Sequence, residues 1–267
     1  MFKDITLGQY FPGNSPIHRL DPRTKLLLMM AFIAVAFSVQ NMWLFLPLAA
    51  FVVGVTLLAQ VPLSYVYRSL KPLKWILIFM FVINLLVTPG GAPLWDWRII
   101  HITTGGVRQA FYFALRLILL VSGTSLMTLT TTPIALTDGL ERLLLPLSKL
   151  KFPAHELAMM MTIALRFIPT LLEEADKIMK AQLSRGADFE TGSLVRRAKA
   201  MVPILVPLFV SAFHRADELA MAMESRCYHG GEGRTRMHVL RFSVGDGLAA
   251  AVMLALAALI IIVQARA

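Results

Sequence analysis

Apolar runs close to bilayer length recur along this chain, and the loops between them alternate between basic and almost uncharged. A hydrocarbon core takes about 20 residues per helix, fewer where flanking side chains reach the interface. Such runs extend from about Lys25 to Val39, Trp43 to Ala59, Lys74 to Val87, Val107 to Leu129 and Val244 to Val263. The first and third are short and draw on their flanks. Lys3, Arg19, Arg23 and Lys25 precede the first run, and no charge follows it. Arg68, Lys71 and Lys74 fall between the second and third, and the next loop holds only Asp96 and Arg98. The excess of Lys and Arg on alternate loops puts the N-terminus in the cytoplasm and, with five spans, the C-terminus outside. The pattern predicts an all-α polytopic membrane protein with about five transmembrane helices.

Charge is unevenly shared. From Asp138 to Arg241 there are 15 Lys/Arg and 12 Asp/Glu, more than half of the 42 charged residues in the chain. This defines three parts: an N-terminal membrane part (1–132) of four spans, a cytoplasmic helical insert (133–242), and a final transmembrane helix (243–267). Two apolar stretches inside the insert, Leu157 to Leu172 and Met201 to Phe213, resemble spans. The second has 13 residues and two prolines, bracketed by Arg196, Arg197 and Lys199 before and by His214 and Arg215 after, the pattern of an interfacial or buried helix. Counting both gives a seven-span alternative.

The net charge of +10 fits nucleic acid, an anionic lipid surface or an acidic protein partner. With 57% hydrophobic residues, long uncharged runs argue against nucleic acid. A single cysteine, Cys227, excludes an intrachain disulfide and any multi-cysteine metal site. The A-x-A-like Ala34-Val35-Ala36 lies too deep in the chain, behind Asp4, Asp21 and a Pro/Gly turn, to be expected as a signal cleavage site.

The insert reads as two long helices and a shorter one. From Pro153, a first-turn proline, apolar residues recur at helical spacing to Leu183, and Gly186 stops the run after about 30 residues, with a kink expected at Pro169. A second helix is expected from Leu194 to Arg226 with bends at Pro203 and Pro207. A shorter one is expected from Thr137 to Leu150. In the N-terminal segment, Pro12-Gly13-Asn14 makes a turn, Asp21 caps the first helix with Pro22 at its first position, and Arg23 and Lys25 anchor the cytoplasmic interface.

Each long helix closes on an arginine tripeptide, Ser184-Arg185-Gly186 and Ser225-Arg226-Cys227, 41 positions apart. A last-turn arginine meets the negative end of the helix dipole, which accounts for one such ending. Two on successive helices suggest equivalent docking tips for two similar partners. With the block from Gly8-Gln9-Tyr10-Phe11-Pro12-Gly13 through His18-Arg19-Leu20-Asp21-Pro22-Arg23-Thr24-Lys25, and the hydrophobic spans that follow, these endings make the sequence resemble one family. That family is the T component of energy-coupling factor transporters, with the related cobalt, nickel and biotin transport permeases.

The resemblance implies a non-catalytic transmembrane scaffold in a prokaryotic cell membrane. It implies that Arg185 and Arg226 insert into grooves on two ABC-type ATPase subunits and that a membrane-embedded S component binds the vitamin or metal ion. Serine opens both motifs where the family has alanine, and Cys227 replaces the usual glycine of the second, which bears on the cap rather than on the arginine.

Met159, Met160, Met161, Met221 and Met223 serve core packing or, under the resemblance, contact with the S component. Arg108 and Arg116 share a face of the fourth span, and Arg116 lies deep enough to require a protein partner. No cofactor is expected. Gly230-Gly231-Glu232-Gly233-Arg234-Thr235-Arg236 lacks the spacing of a phosphate-binding P-loop and is expected as a helix-ending basic loop. His155-Glu156 lacks the second histidine of a zinc motif, and His214 with Asp217 belongs to a solvated stripe. The alternatives are a conventional ABC importer permease, with one coupling helix per subunit, and an intramembrane lipid-processing enzyme.

Overall fold

The computed structural model of the 267-residue chain describes residues 10–88, 90, 93–97, 100–146, 152–189, 193–230 and 240–266. The start of the N-terminal block (Gly8, Gln9), Arg98, the end of the expected short helix (147–150) and the loop from Gly231 to Arg236 lie outside the described residues.

The helices are α1 (Pro22–Ser38), α2 (Phe45–Leu58), α3 (Leu63–Leu70), α4 (Lys74–Val87), α5 (Thr104–Thr130), α6 (Pro133–Leu144), α7 (Ala154–Ser184), α8 (Leu194–Glu224) and α9 (Val244–Arg266). Single 3-10 turns lead into α2 (Met42–Leu44) and join α3 to α4 (Lys71–Leu73). The architecture is helical throughout, with one small addition that hydropathy does not signal. A two-stranded antiparallel hairpin, β1 (Pro93–Trp97) and β2 (Ile100–Thr103), pairs Trp97 with Ile100 at its tip and Pro93 with Thr103 at its base.

The chain divides into two compact units, residues 8–140 with 239–267, and residues 141–238. In the first, α5 is the hub, packing on α1, α2, α3 and α4, while α9 packs on α1. Phe32, Ala36, Leu48, Val52, Leu119, Leu126, Met253 and Ile260 belong to its core. Gly123 of α5 lets α1 approach closely, since a Cβ there would fall 2.3 Å from Cε1 of Phe32.

Local chemistry explains the start of α1. The Asp21 carboxylate accepts from the Arg23 backbone N–H (2.9 Å), and Pro22 occupies the first turn, where its missing N–H costs nothing. Arg23 and Lys25, expected at the cytoplasmic interface, make specific contacts within the chain. Arg23 pairs with Asp21 (2.8 Å), donates to the Leu240 carbonyl (3.1 Å) and lies over the Phe242 ring. Lys25 is only 7% exposed and donates to the Thr130 carbonyl (2.8 Å) and the Thr131 hydroxyl (3.2 Å), so it ties α1 to the end of α5.

Among the described residues, five helical stretches are long and apolar enough to cross a membrane: Leu63–Val87, Thr104–Thr130, Ala154–Ser184, Val195–Glu224 and Val244–Ala265. None of the most apolar window of Leu63–Val87 is buried, an arrangement that requires lipid or another chain around it. The set differs from the sequence spans: α7 and α8 qualify, whereas the first two spans form helices of 17 and 14 residues. Hydropathy over a window scores a long amphipathic helix and a spanning one alike.

Candidate functional site

In the second unit α7 and α8 pack against each other. Two side-chain contacts fix their direction. Arg215 Nη2 meets Glu174 Oε2 at 2.9 Å, and the Tyr228 hydroxyl lies 3.0 Å from Met159 Sδ. Early residues of α7 thus meet late residues of α8, and the pair is antiparallel. Both helices have 31 residues, about 46 Å at 1.5 Å per residue. Pro169, Pro203 and Pro207 lie inside them. The short helix of the insert begins at Pro133 rather than Thr137, because Pro133 supplies a ready first turn.

The two tips close in the same way. At the first, Gly186 N–H donates to the Leu183 carbonyl (2.9 Å) and Ala187 N–H to that of Gln182 (3.0 Å), with Gly186 at φ +85°. At the second, Cys227 N–H donates to Glu224 (2.9 Å) and Tyr228 N–H to Met223 (3.0 Å), with Cys227 at φ +56°. These are matched Schellman caps, each needing a left-handed residue just past the helix. Glycine adopts that conformation freely, and Cys227 holds it despite its Cβ. The substitution therefore leaves the cap geometry in place.

Ser184, Arg185, Gly186, Ser225, Arg226 and Cys227 are all exposed. Neither Arg185 nor Arg226 has an ion-pair or side-chain hydrogen-bond partner among the described residues. Because the helices run antiparallel, these arginines lie in opposite directions from the Glu174–Arg215 contact, about 33 Å apart measured along the two helices.

The five methionines differ in exposure, with Met159 and Met223 half-buried. Met159 takes the Tyr228 hydroxyl, and Met223 lines an apolar cleft of about 330 Å³ between α7 and α8. Met160, Met161 and Met221 are exposed. His155 Nδ1 meets Glu141 Oε1 (3.0 Å), a pair that ties α6 to α7, and His214, Asp217 and Glu218 are exposed. Among the described residues no three His, Cys, Asp or Glu side chains gather as a metal site.

Sequence reasoning left Arg116 without a partner and did not single out Asp246. The Arg116 guanidinium donates to the Val39 carbonyl and the Tyr112 hydroxyl and lies 4.6 Å from the centroid of the Tyr112 ring. Val39 is the C-cap of α1, so the cation satisfies a helix-end carbonyl at the negative end of the dipole. Asp246, 4% exposed, accepts from Ser243 N–H (2.7 Å) and the Ser243 hydroxyl (2.9 Å), closing the first turn of α9, and from Asp21 N–H (2.9 Å). An S-x-x-D at the start of an apolar run was the available signal for the first two bonds; the third has none.

Bilayer-length apolar helices, a helical hub packed from them, and a second helical unit ending in two exposed arginine caps define a polytopic, permease-type membrane protein. Residues 13–239 match the family described as CbiQ, cobalt transport protein. The chain is 56% identical over 256 residues to the energy-coupling factor transporter transmembrane protein EcfT of Acidaminococcus fermentans, covering 96% of this chain and 95% of that one. It is 48% identical over 265 residues to EcfT of Bacillus subtilis, covering 99% and 100%. The chain belongs to the EcfT family, the transmembrane components of energy-coupling factor transporters, which are non-catalytic membrane subunits.

Proposed function

We propose that this chain is the scaffold through which two ABC-type ATPase subunits drive uptake of a micronutrient, a vitamin or metal ion, held by a membrane-embedded S component. Residues 133–242 form the cytoplasmic coupling part, and the N-terminus lies on the same side of the cell membrane. The observation that carries the reading is the pair of exposed arginines, unpartnered among the described residues, in matched caps at opposite ends of one antiparallel helix pair. A guanidinium at a helix tip suits an acidic groove, where it forms bidentate bonds with a carboxylate. Two tips about 33 Å apart let one copy engage two ATPases, and ATP-driven closure of the ATPase dimer moves both ends of the pair. Exposed Met160, Met161 and Met221 offer an adaptable surface to the S component.

The test is charge reversal. Arg185→Glu and Arg226→Glu should each weaken ATPase capture about 30-fold or more, the scale for breaking a desolvated charge pair. The double variant should lose substrate uptake while remaining in the membrane at normal levels. Undiminished uptake by the double variant would refute the reading.

A further inference from the structure

The ion pair between α7 and α8 has a register that nothing in the capping chemistry requires. Glu174 and Arg215 are themselves 41 positions apart, the same offset that separates Arg185 from Arg226, so each stands 11 residues before the arginine of its own tip. The surrounding sequence repeats at that offset: Glu174-Ala175-Asp176 against Arg215-Ala216-Asp217, Ala181 against Ala222, and Ser184-Arg185 against Ser225-Arg226. In an antiparallel pair built from two such related helices, the residue on the local two-fold axis meets its own counterpart. A like charge there would repel itself. The position instead carries opposite charges, and the two meet at 2.9 Å.

We infer that Glu174 and Arg215 are positioning residues that fix the register of α7 on α8 and thereby the spacing of the two arginine tips. The inference rests on the docking reading for its functional consequence, though not for its geometry. Each tip lies about 16 Å along its helix from the ion pair, in opposite directions, so the pair sits midway between them. The apolar contact alone specifies register weakly. Ala212, Ala216 and Ala220 on α8 face Ile163, Phe167 and Leu171 on α7 across the unfilled cleft, and surfaces of that kind tolerate sliding by a turn. A slip of one turn would move a tip by about 5.4 Å relative to the other, enough to unseat a guanidinium from its carboxylate. The pair is about a quarter to a third exposed, so it adds little stability, and its proposed part is to choose among registers, a role attested for buried polar pairs.

The experiment compares Glu174→Arg, Arg215→Glu and the swapped double variant. Spin labels on the native Cys227 and on Ala187→Cys report the distance between the tips in the full chain without ATPases. The parent should give one narrow distribution near about 35 Å. Each single variant should broaden it or shift it by about 5 Å, a one-turn slip, and the swap should restore it. In the unlabelled complete transporter, substrate imported per ATP hydrolysed should fall about tenfold in the single variants and return to within about twofold of the parent in the swap. An unchanged distance in both single variants, or a swap that restores neither readout, overturns the inference. The distance measurement needs no ATPase, so it stands or falls separately from the docking reading, which the Arg185 and Arg226 reversals test.

Discussion

At the tip of each long helix a single backbone angle decides how the arginine is presented. Gly186 and Cys227 both sit at positive φ, where a Cβ costs about 1 kcal/mol or somewhat more. The first tip is relaxed and the second carries that strain. Cys227→Gly should therefore tighten its cap, slowing hydrogen exchange at the Tyr228 amide about fivefold, and Gly186→Ala should speed exchange at the Ala187 amide by a similar factor. Equal exchange in parent and variants would mean that the left-handed residue does not limit cap stability. Arg116 shows the same dependence on backbone. Its charge lies deep in an apolar helix, and it is accommodated because α1 ends in a carbonyl that needs a donor.

Between elements, a few polar side chains join helices that apolar surfaces merely bring together. Asp246 serves two helix starts at once, closing the first turn of α9 and taking the Asp21 N–H at the start of α1. Removing its carboxylate leaves the buried Asp21 N–H and the part-buried Ser243 N–H without their acceptor. Asp246→Ala should lower the stability of the purified protein by about 2–4 kcal/mol, whereas Asp246→Asn, which keeps an acceptor, should lose less. Thermal unfolding in detergent checks this, and equal midpoints for parent and Asp246→Ala would show that the joint is dispensable. Lys25 is a joint of the same kind between α1 and α5. The carbonyls that Lys25 and Arg116 reach were not legible in the sequence, because a backbone carbonyl about 80 to 100 positions away can be supplied by any residue type.

For the whole molecule, the antiparallel arrangement of α7 and α8 bears on the stoichiometry that the proposed function requires. A conventional permease presents one coupling helix per subunit and works as a dimer; here both tips belong to one chain and point to opposite ends. The assembled transporter should contain one copy of this chain against two ATPase chains, measured as intact mass in native conditions. Two copies per ATPase pair would instead favour the conventional arrangement. The sequence by itself determined the apolar runs, the cap at Asp21 and Pro22, the ends of α7 and α8 and the two arginine motifs. These follow from local periodicity and from the few residues able to start or stop a helix. Only the tertiary structure decided that α7 and α8 run antiparallel, that Glu174 meets Arg215, and that α1 and α9 share one carboxylate. Those contacts join residues far apart in the chain, and their choice among many chemically equivalent partners is made by packing, which no local pattern records.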